Sequence, residues 1–267
     1  MFNAINGQTN IDGERTDYIR FGQGEKILIM IPGVGDGLKT VKGMAIPFAM
    51  MYRKLAKNFT VYVFSRPVSL KPDATTRDMA ESLFRSMKAL GISEASVVGV
   101  SQGGMIAQYL ALDHPETVDK LVLVVTLSKP NPTVVSVINM WLDMADKGDY
   151  KGIMVSTAEL SYTPRKAKQS RLMYWIIGNV GKPKSFDRFR TQAKSCLTHN
   201  AYARLEEITC PTLVIGGTED KIVTPKASEE IAGKIPNCKL LMYEGLGHGA
   251  YEEAKDFCDR VFGFCKE

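Results

Sequence analysis

Histidine is scarce in this chain, with three among 267 residues, and cysteine is both sparse and odd in number. The five cysteines, Cys196, Cys210, Cys238, Cys258 and Cys265, form no CxxC pair. That excludes a zinc ribbon and a dithiol redox centre, and scattered unpaired thiols suit a reducing compartment. Apolar runs such as the one from Leu121 to Val125 are far too short to cross a bilayer, and the segment from Met1 to Arg20 lacks the apolar stretch of a signal peptide. The expectation is a soluble, cytoplasmic protein with no membrane partner. Charge of one sign is also lacking: 34 Lys and Arg stand against 29 acids, an excess too mild to imply nucleic acid. Neither a P-loop nor an HExxH pattern is present, so no cofactor and no metal is expected.

What is present is ordinary globular composition, 45% apolar and 24% charged with 23 Gly and 12 Pro, which excludes disordered, collagen-like and coiled-coil classes. Short β-branched runs recur with helical patterns between them. Strands are expected at Lys26–Ile31, Thr60–Phe64, Ser96–Gly99, Lys120–Val125, Thr212–Ile215 and Lys239–Tyr243, with a weaker one at Thr16–Phe21. Near-continuous apolar strands belong to sheets covered on both faces. Helices are expected at Phe48–Ala56, Thr76–Leu90, Gly103–Asp113, Pro225–Ile235 and Tyr251–Phe264. This alternation predicts an α/β class with a mostly parallel, doubly wound sheet. From about Ser128 to Arg204 the rhythm breaks into amphipathic helical pieces punctuated by Pro130, Pro132, Pro164 and Pro183. We read residues 128–204 as a helical cap on a core of residues 1–127 and 205–267.

Three loops carry chemistry. Gly99-Val100-Ser101-Gln102-Gly103 fits G-x-S-x-G between a strand and a helix, where a sharp turn lifts a serine hydroxyl above the sheet. A serine needs a base. His114 sits at a helix end before Pro115, and His199 lies in a polar stretch. His248, in Gly245-Leu246-Gly247-His248-Gly249, follows the last strand, where parallel sheets place their sites. A carboxylate should hold the imidazole's tautomer, and Glu219 and Asp220 both follow the Thr212 strand. A dinucleotide reading of Gly33-Val34-Gly35-Asp36-Gly37-Leu38 fails, because Leu38 stands where the third glycine is required.

These motifs together resemble the α/β-hydrolase superfamily, over nearly the whole chain from Tyr18 to Phe262. The order Ser101, Asp220, His248 is the family's nucleophile, acid, base order, and the match to Gly217-Thr218-Glu219-Asp220 selects Asp220. The resemblance places the oxyanion-hole donors at the amides of Val34 and Gln102. In Ile31-Pro32-Gly33-Val34 a proline stands where the family usually has histidine, but both donors are main-chain and survive that change. It also implies a cap after the sixth strand and a serine hydrolase cleaving a small-molecule carboxylic ester, thioester or lactone through an acyl-enzyme. Carbon–carbon hydrolase, perhydrolase and lyase activities share the triad, and a slow-turnover binding or receptor protein shares the fold.

Met140, Trp141, Met144, Met173 and Trp175 fall in the cap and are expected, as a group, to form an apolar acyl pocket. Between Arg165 and Lys194 lie nine basic residues and one acid, Asp187, so the rest of the chain is net negative. That stretch forms either solvated helix faces or a field drawing an anionic acyl substrate toward the site.

Overall fold

The computed structural model describes residues 2–178 and 180–266. Its strands are β1 (Ile5–Ile11), β2 (Glu14–Gly22), β3 (Lys26–Ile31), β4 (Phe59–Phe64), β5 (Ala95–Val100), β6 (Val118–Val124), β7 (Thr212–Gly217) and β8 (Cys238–Tyr243). They form one sheet in the order β1-β2-β4-β3-β5-β6-β7-β8. β2 runs antiparallel to both of its neighbours, β1 and β4, and the remaining neighbours pair in parallel. The central strands are buried on both sides: every residue of β5 and β7 is buried, which is why they read as unbroken apolar runs.

The helices are α1 (Ala45–Met51), α2 (Arg53–Ala56), α3 (Thr76–Ala89), α4 (Gln102–Asp113), α5 (Pro132–Asp146), α6 (Tyr150–Ser161), α7 (Pro164–Ile177), α8 (Asp187–Thr198), α9 (Pro225–Ala232), α10 (Ala250–Glu253) and α11 (Phe257–Lys266). α3 begins with a capping box between Thr75 and Asp78, and α5 with an Asn131 cap followed by Pro132. One apolar layer joins α1, α2 and α11 to the sheet, and another joins α3, α4 and α9 to its opposite face. The expected helix Phe48–Ala56 is broken at Tyr52, and the expected Tyr251–Phe264 helix is two helices, α10 and α11.

β1 was not anticipated. Its sequence, INGQTNI, buries only Thr9 fully, so it carries no apolar alternation. The available signal was the turn: Asp12 and Gly13 have φ of 52° and 82°, the two left-handed positions of a type I′ hairpin.

Helices α5–α8 form an insertion between β6 and β7. Its ends meet, since the amides of Ala201 and Tyr202 both donate to the Ser128 carbonyl, at 2.8 and 3.2 Å. A third apolar cluster, including Val134, Ile138, Trp141, Phe189 and Met105, joins the insertion to α4. His199 closes its C-terminal end. It is 1% exposed, with Nδ1 2.9 Å from Thr76 Oγ1 and Nε2 3.4 Å from Gln108 Oε1. Burial pushes its pKa down to about 3.

This gives a pH signature. Above the ordinary histidine value of ~6.5 the ring is neutral in both folded and unfolded chains. As the pH falls toward about 3, the unfolded chain takes a proton that the folded one refuses. Stability is therefore lost progressively on acidification, by up to ~1.4 kcal/mol per pH unit. Between pH 6.5 and 4.5 the melting temperature of His199→Gln should fall less steeply than that of the wild type; parallel curves would contradict this assignment.

Candidate active site

Ser101 sits at the junction of β5 and α4 with φ 54° and ψ −120°, a left-handed backbone that a non-glycine residue adopts only under constraint. The constraint is visible in its neighbours. An ideal Cβ on Gly103 would lie 2.0 Å from the Ile31 carbonyl oxygen, so only glycine lets α4 cross the end of β3 at this point. Thr126 Oγ1 donates to the Ser101 carbonyl at 2.7 Å, and the Ser101 amide donates to Val124 O at 2.8 Å.

His248, on the loop between β8 and α10, lies with Nε2 3.0 Å from Ser101 Oγ and Nδ1 2.8 Å from Asp220 Oδ2. Both His248 and Asp220 are buried. The second Asp220 oxygen accepts from the amides of Ile222 and Val223, at 2.8 and 3.0 Å. Burial pushes the Asp220 carboxyl up, but His248 and those two amides outweigh it, and the net direction is down. A carboxylate fixed in this way holds the imidazole with Nδ1 protonated and Nε2 facing the serine. Glu219 is exposed, and its backbone amide donates to Leu246 O at 2.9 Å. Of the other histidines, His114 stacks on Phe84 and contacts Glu81 at 2.8 Å, and His199 belongs to the cap junction. Among the described residues no cluster of His, Cys, Asp or Glu could hold a metal ion.

Opposite the serine, β3 runs through Pro32 and Gly33 into a 3-10 turn over Val34–Gly37. A Cβ on Gly33 would stand 3.3 Å from Ser101 Cβ, so this loop lies directly against the serine. Val34 opens the turn and Gln102 opens α4. First-turn amides have no partner inside their own helix.

Sequence reasoning missed what stands behind this loop. Asp36 and Arg66 are 5% and 3% exposed. The Asp36 carboxylate accepts from the Arg66 amide at 3.1 Å, from Arg188 Nη2, and from Gln192 Nε2 at 3.3 Å. Arg66 Nη2 donates to Pro32 O and, at 2.9 Å, to Gln102 Oε1. One guanidinium therefore bridges the two segments that carry Val34 and Gln102. Gln102 Nε2 continues into α8, donating to Gln192 O at 2.5 Å and Ser195 Oγ at 3.1 Å. Burial pushes Arg66 down to about 10, opposed by Asp36, so the group stays charged at neutral pH. The beginnings of this network were readable as Arg66 at the end of β4 and Asp36 after β3. Its closure by Arg188 and Gln192 depends on how the cap docks, which no local pattern reveals.

The five cap residues expected to form one acyl pocket do not converge. Trp141 is 3% exposed, donates from Nε1 to Ser156 Oγ at 3.0 Å and packs in the cap–core cluster. Met140 and Met144, one turn apart, line an open groove on α5 with Ser136, Asn139, Asp143 and Lys147. Met173 and Trp175 face solvent, Trp175 with 68% of its surface exposed. Proximity in the sequence put these residues in one segment, but helix phase sends them in different directions. The basic stretch is divided as well: Arg188 is consumed by Asp36, and Arg190 by Asp146 and Asp187.

The sheet, the elbow and the loop order define a class. The family model described as alpha/beta hydrolase fold matches residues 26–255, and the chain belongs to that family. It is 29% identical over 177 residues to RutD of Caulobacter sp. (strain K31), whose name gives it carbamate hydrolysis; the alignment covers 66% of each chain. Among solved structures it is similar to MGS-M2, an α/β hydrolase from a Medee basin deep-sea metagenome library, with a TM-score of 0.86, 20% identity and 98% of each chain covered. It is also similar to the enol-lactonase of Burkholderia xenovorans LB400, with a TM-score of 0.78, 20% identity, and coverage of 98% of this chain and 100% of that one.

Removing the anion from between the two arginines tests the buried network. Asp36→Asn should destabilise by about 3–5 kcal/mol, the cost of breaking a buried pair, and lower the melting temperature by roughly 10 °C. Arg188→Gln should cost less, about 1–3 kcal/mol. A loss no greater than that of the exposed-pair variant Arg260→Gln would contradict this weight.

Proposed function

We propose that the protein is a serine hydrolase that cleaves a small-molecule acyl compound through an acyl-enzyme on Ser101. The observation that carries this reading is the unbroken hydrogen-bonded chain from Ser101 Oγ through His248 to Asp220, at 3.0 and 2.8 Å. His248 Nε2 takes the serine proton as Oγ attacks the substrate carbonyl, then delivers it to the leaving group. Asp220 keeps the imidazole in the required tautomer and stabilises the imidazolium. The amides of Val34 and Gln102 receive the developing oxyanion, where one donor is typically worth about 3 kcal/mol. Water, activated by the same histidine, then hydrolyses the acyl-enzyme.

Carboxylic esters, with thioesters and lactones beside them, are the substrate class we favour. The relative named for carbamate hydrolysis and the lactonase neighbour suggest that carbamates and lactones belong in the same test. Carbon–carbon hydrolysis uses the same three residues and is the second reading. The Arg165–Lys194 stretch, with Arg188 and Arg190 held in internal pairs, gives less support to an anionic substrate than its sequence alone does, so neutral esters are expected to serve.

The test is a panel of p-nitrophenyl esters, thioesters, carbamates and lactones graded by acyl length. Ser101→Ala should lower kcat by about 10⁴ or more with the melting temperature kept, because the triad acts as a unit. Asp220→Asn should be severe and Glu219→Gln mild. An alanine variant that retains near-native turnover would remove Ser101 from the mechanism, and the reverse ranking of the two acids would unseat Asp220.

A further inference from the structure

The solvent face of α7 is unusual for the outside of a helix. Arg165, Lys168, Leu172, Trp175 and Ile176 recur at helical spacing along one side, and all are exposed. Leu172, Trp175 and Ile176 are 60%, 68% and 67% exposed, and Val180, just beyond the helix, is 71% exposed. Lys182 and Lys184 follow at once, also exposed. Arg171 and Lys166 are paired with Glu159 and Glu252, at 3.4 and 3.5 Å. Arg165, Lys168, Lys182 and Lys184 have no acidic partner among the described residues. The result is an apolar tip with a tryptophan, flanked on both sides by uncompensated positive charge.

We propose that this tip docks on an anionic lipid surface. Four large apolar side chains in contact with water mark an interaction site rather than scattered exposure. Their basic flanks select an occupant of negative charge. A second copy of the chain would bring the same positive flanks together. Protein interfaces are depleted in lysine at their centres, whereas lysine stems lie along a lipid boundary with their ammonium groups among the headgroups. Tryptophan favours that same boundary. The contact is peripheral: among the described residues no helix is long and apolar enough to cross a membrane. Leu172, Trp175, Ile176 and Val180 would enter the headgroup layer, with the four bases paired to lipid phosphates, in the manner of an interfacial segment. The sequence alone led to the expectation of no membrane partner; this proposal departs from it and stands independently of the hydrolytic reading.

The two tryptophans make the test direct, because Trp141 is buried and constant while Trp175 is at the tip. The full-length protein is mixed at about 20 mM salt with vesicles of phosphatidylcholine alone, or of phosphatidylcholine with phosphatidylglycerol. Binding is read by flotation and by the emission of Trp175. The expected result is flotation and a blue shift with the anionic vesicles only, both lost at about 500 mM salt. Each headgroup-facing base is worth about fivefold in affinity, so Lys182→Glu/Lys184→Glu should weaken binding by tenfold or more. Leu172→Ser/Ile176→Ser should do the same while hydrolysis of a soluble ester is unchanged. Absence of flotation with anionic vesicles at low salt would overturn the proposal. So would equal binding to neutral vesicles, or a Trp175 blue shift that rises with protein concentration in the absence of lipid, which would make the occupant a second copy.

Discussion

Everything near the site depends on one backbone constraint, the left-handed conformation of Ser101 at φ 54°. Such a conformation costs on the order of 1–3 kcal/mol and persists only when its surroundings over-determine it. Here they do. β5 is locked between β3 and β6, Gly103 allows α4 to cross the end of β3, and Thr126 holds the serine carbonyl. The hydroxyl is thereby raised above the carboxyl ends of the parallel strands. The Asp220 loop after β7 and the His248 loop after β8 reach it there without further adjustment. A sheet of this topology places its loops in one row, and the hydrogen-bonded chain follows from that row.

A second constraint couples the cap to the same place. Asp36 is a buried carboxylate held by the Arg66 backbone amide, with that residue's Nη1 3.8 Å away, and by the Arg188 guanidinium from α8. On the other side the Ser161 carbonyl accepts from Gly249, next to His248, at 2.7 Å, and Glu253 of α10 accepts from Thr163. The insertion therefore grips both the loop of Val34 and the loop of His248. Buried charges are a poor way to gain stability, since desolvation offsets much of the attraction. Their value here is geometric, because one guanidinium bridges the segments on either side of the serine.

The sheet core was legible because its apolar runs are short and rich in β-branched residues, which favours strands buried on both faces over buried helices, and the expected strand Lys26–Ile31 matches β3 end for end. Ser101, Asp220 and His248 were legible because each lies among glycines after a strand, and three histidines left few choices for a base. The structure brings those three side chains together. β1 escaped because an edge hairpin needs no apolar alternation, although Asp12-Gly13 marked its turn. The pocket residues escaped for a different reason. A cap segment reveals its helices by composition, but the direction in which Trp141 or Trp175 points is set by docking onto the core, which is a non-local event. The same holds for Arg188, which belongs to a basic run by sequence and to a buried ion pair by structure.

The central claim is that Ser101 carries the acyl group. Mixing the protein with a p-nitrophenyl ester, quenching within the first turnover and digesting for mass spectrometry reads this directly. One acyl group is expected on the peptide that contains Ser101, with one p-nitrophenol released for each group attached. Steady release of p-nitrophenol with no acylated peptide, or with the acyl group on another residue, would contradict it.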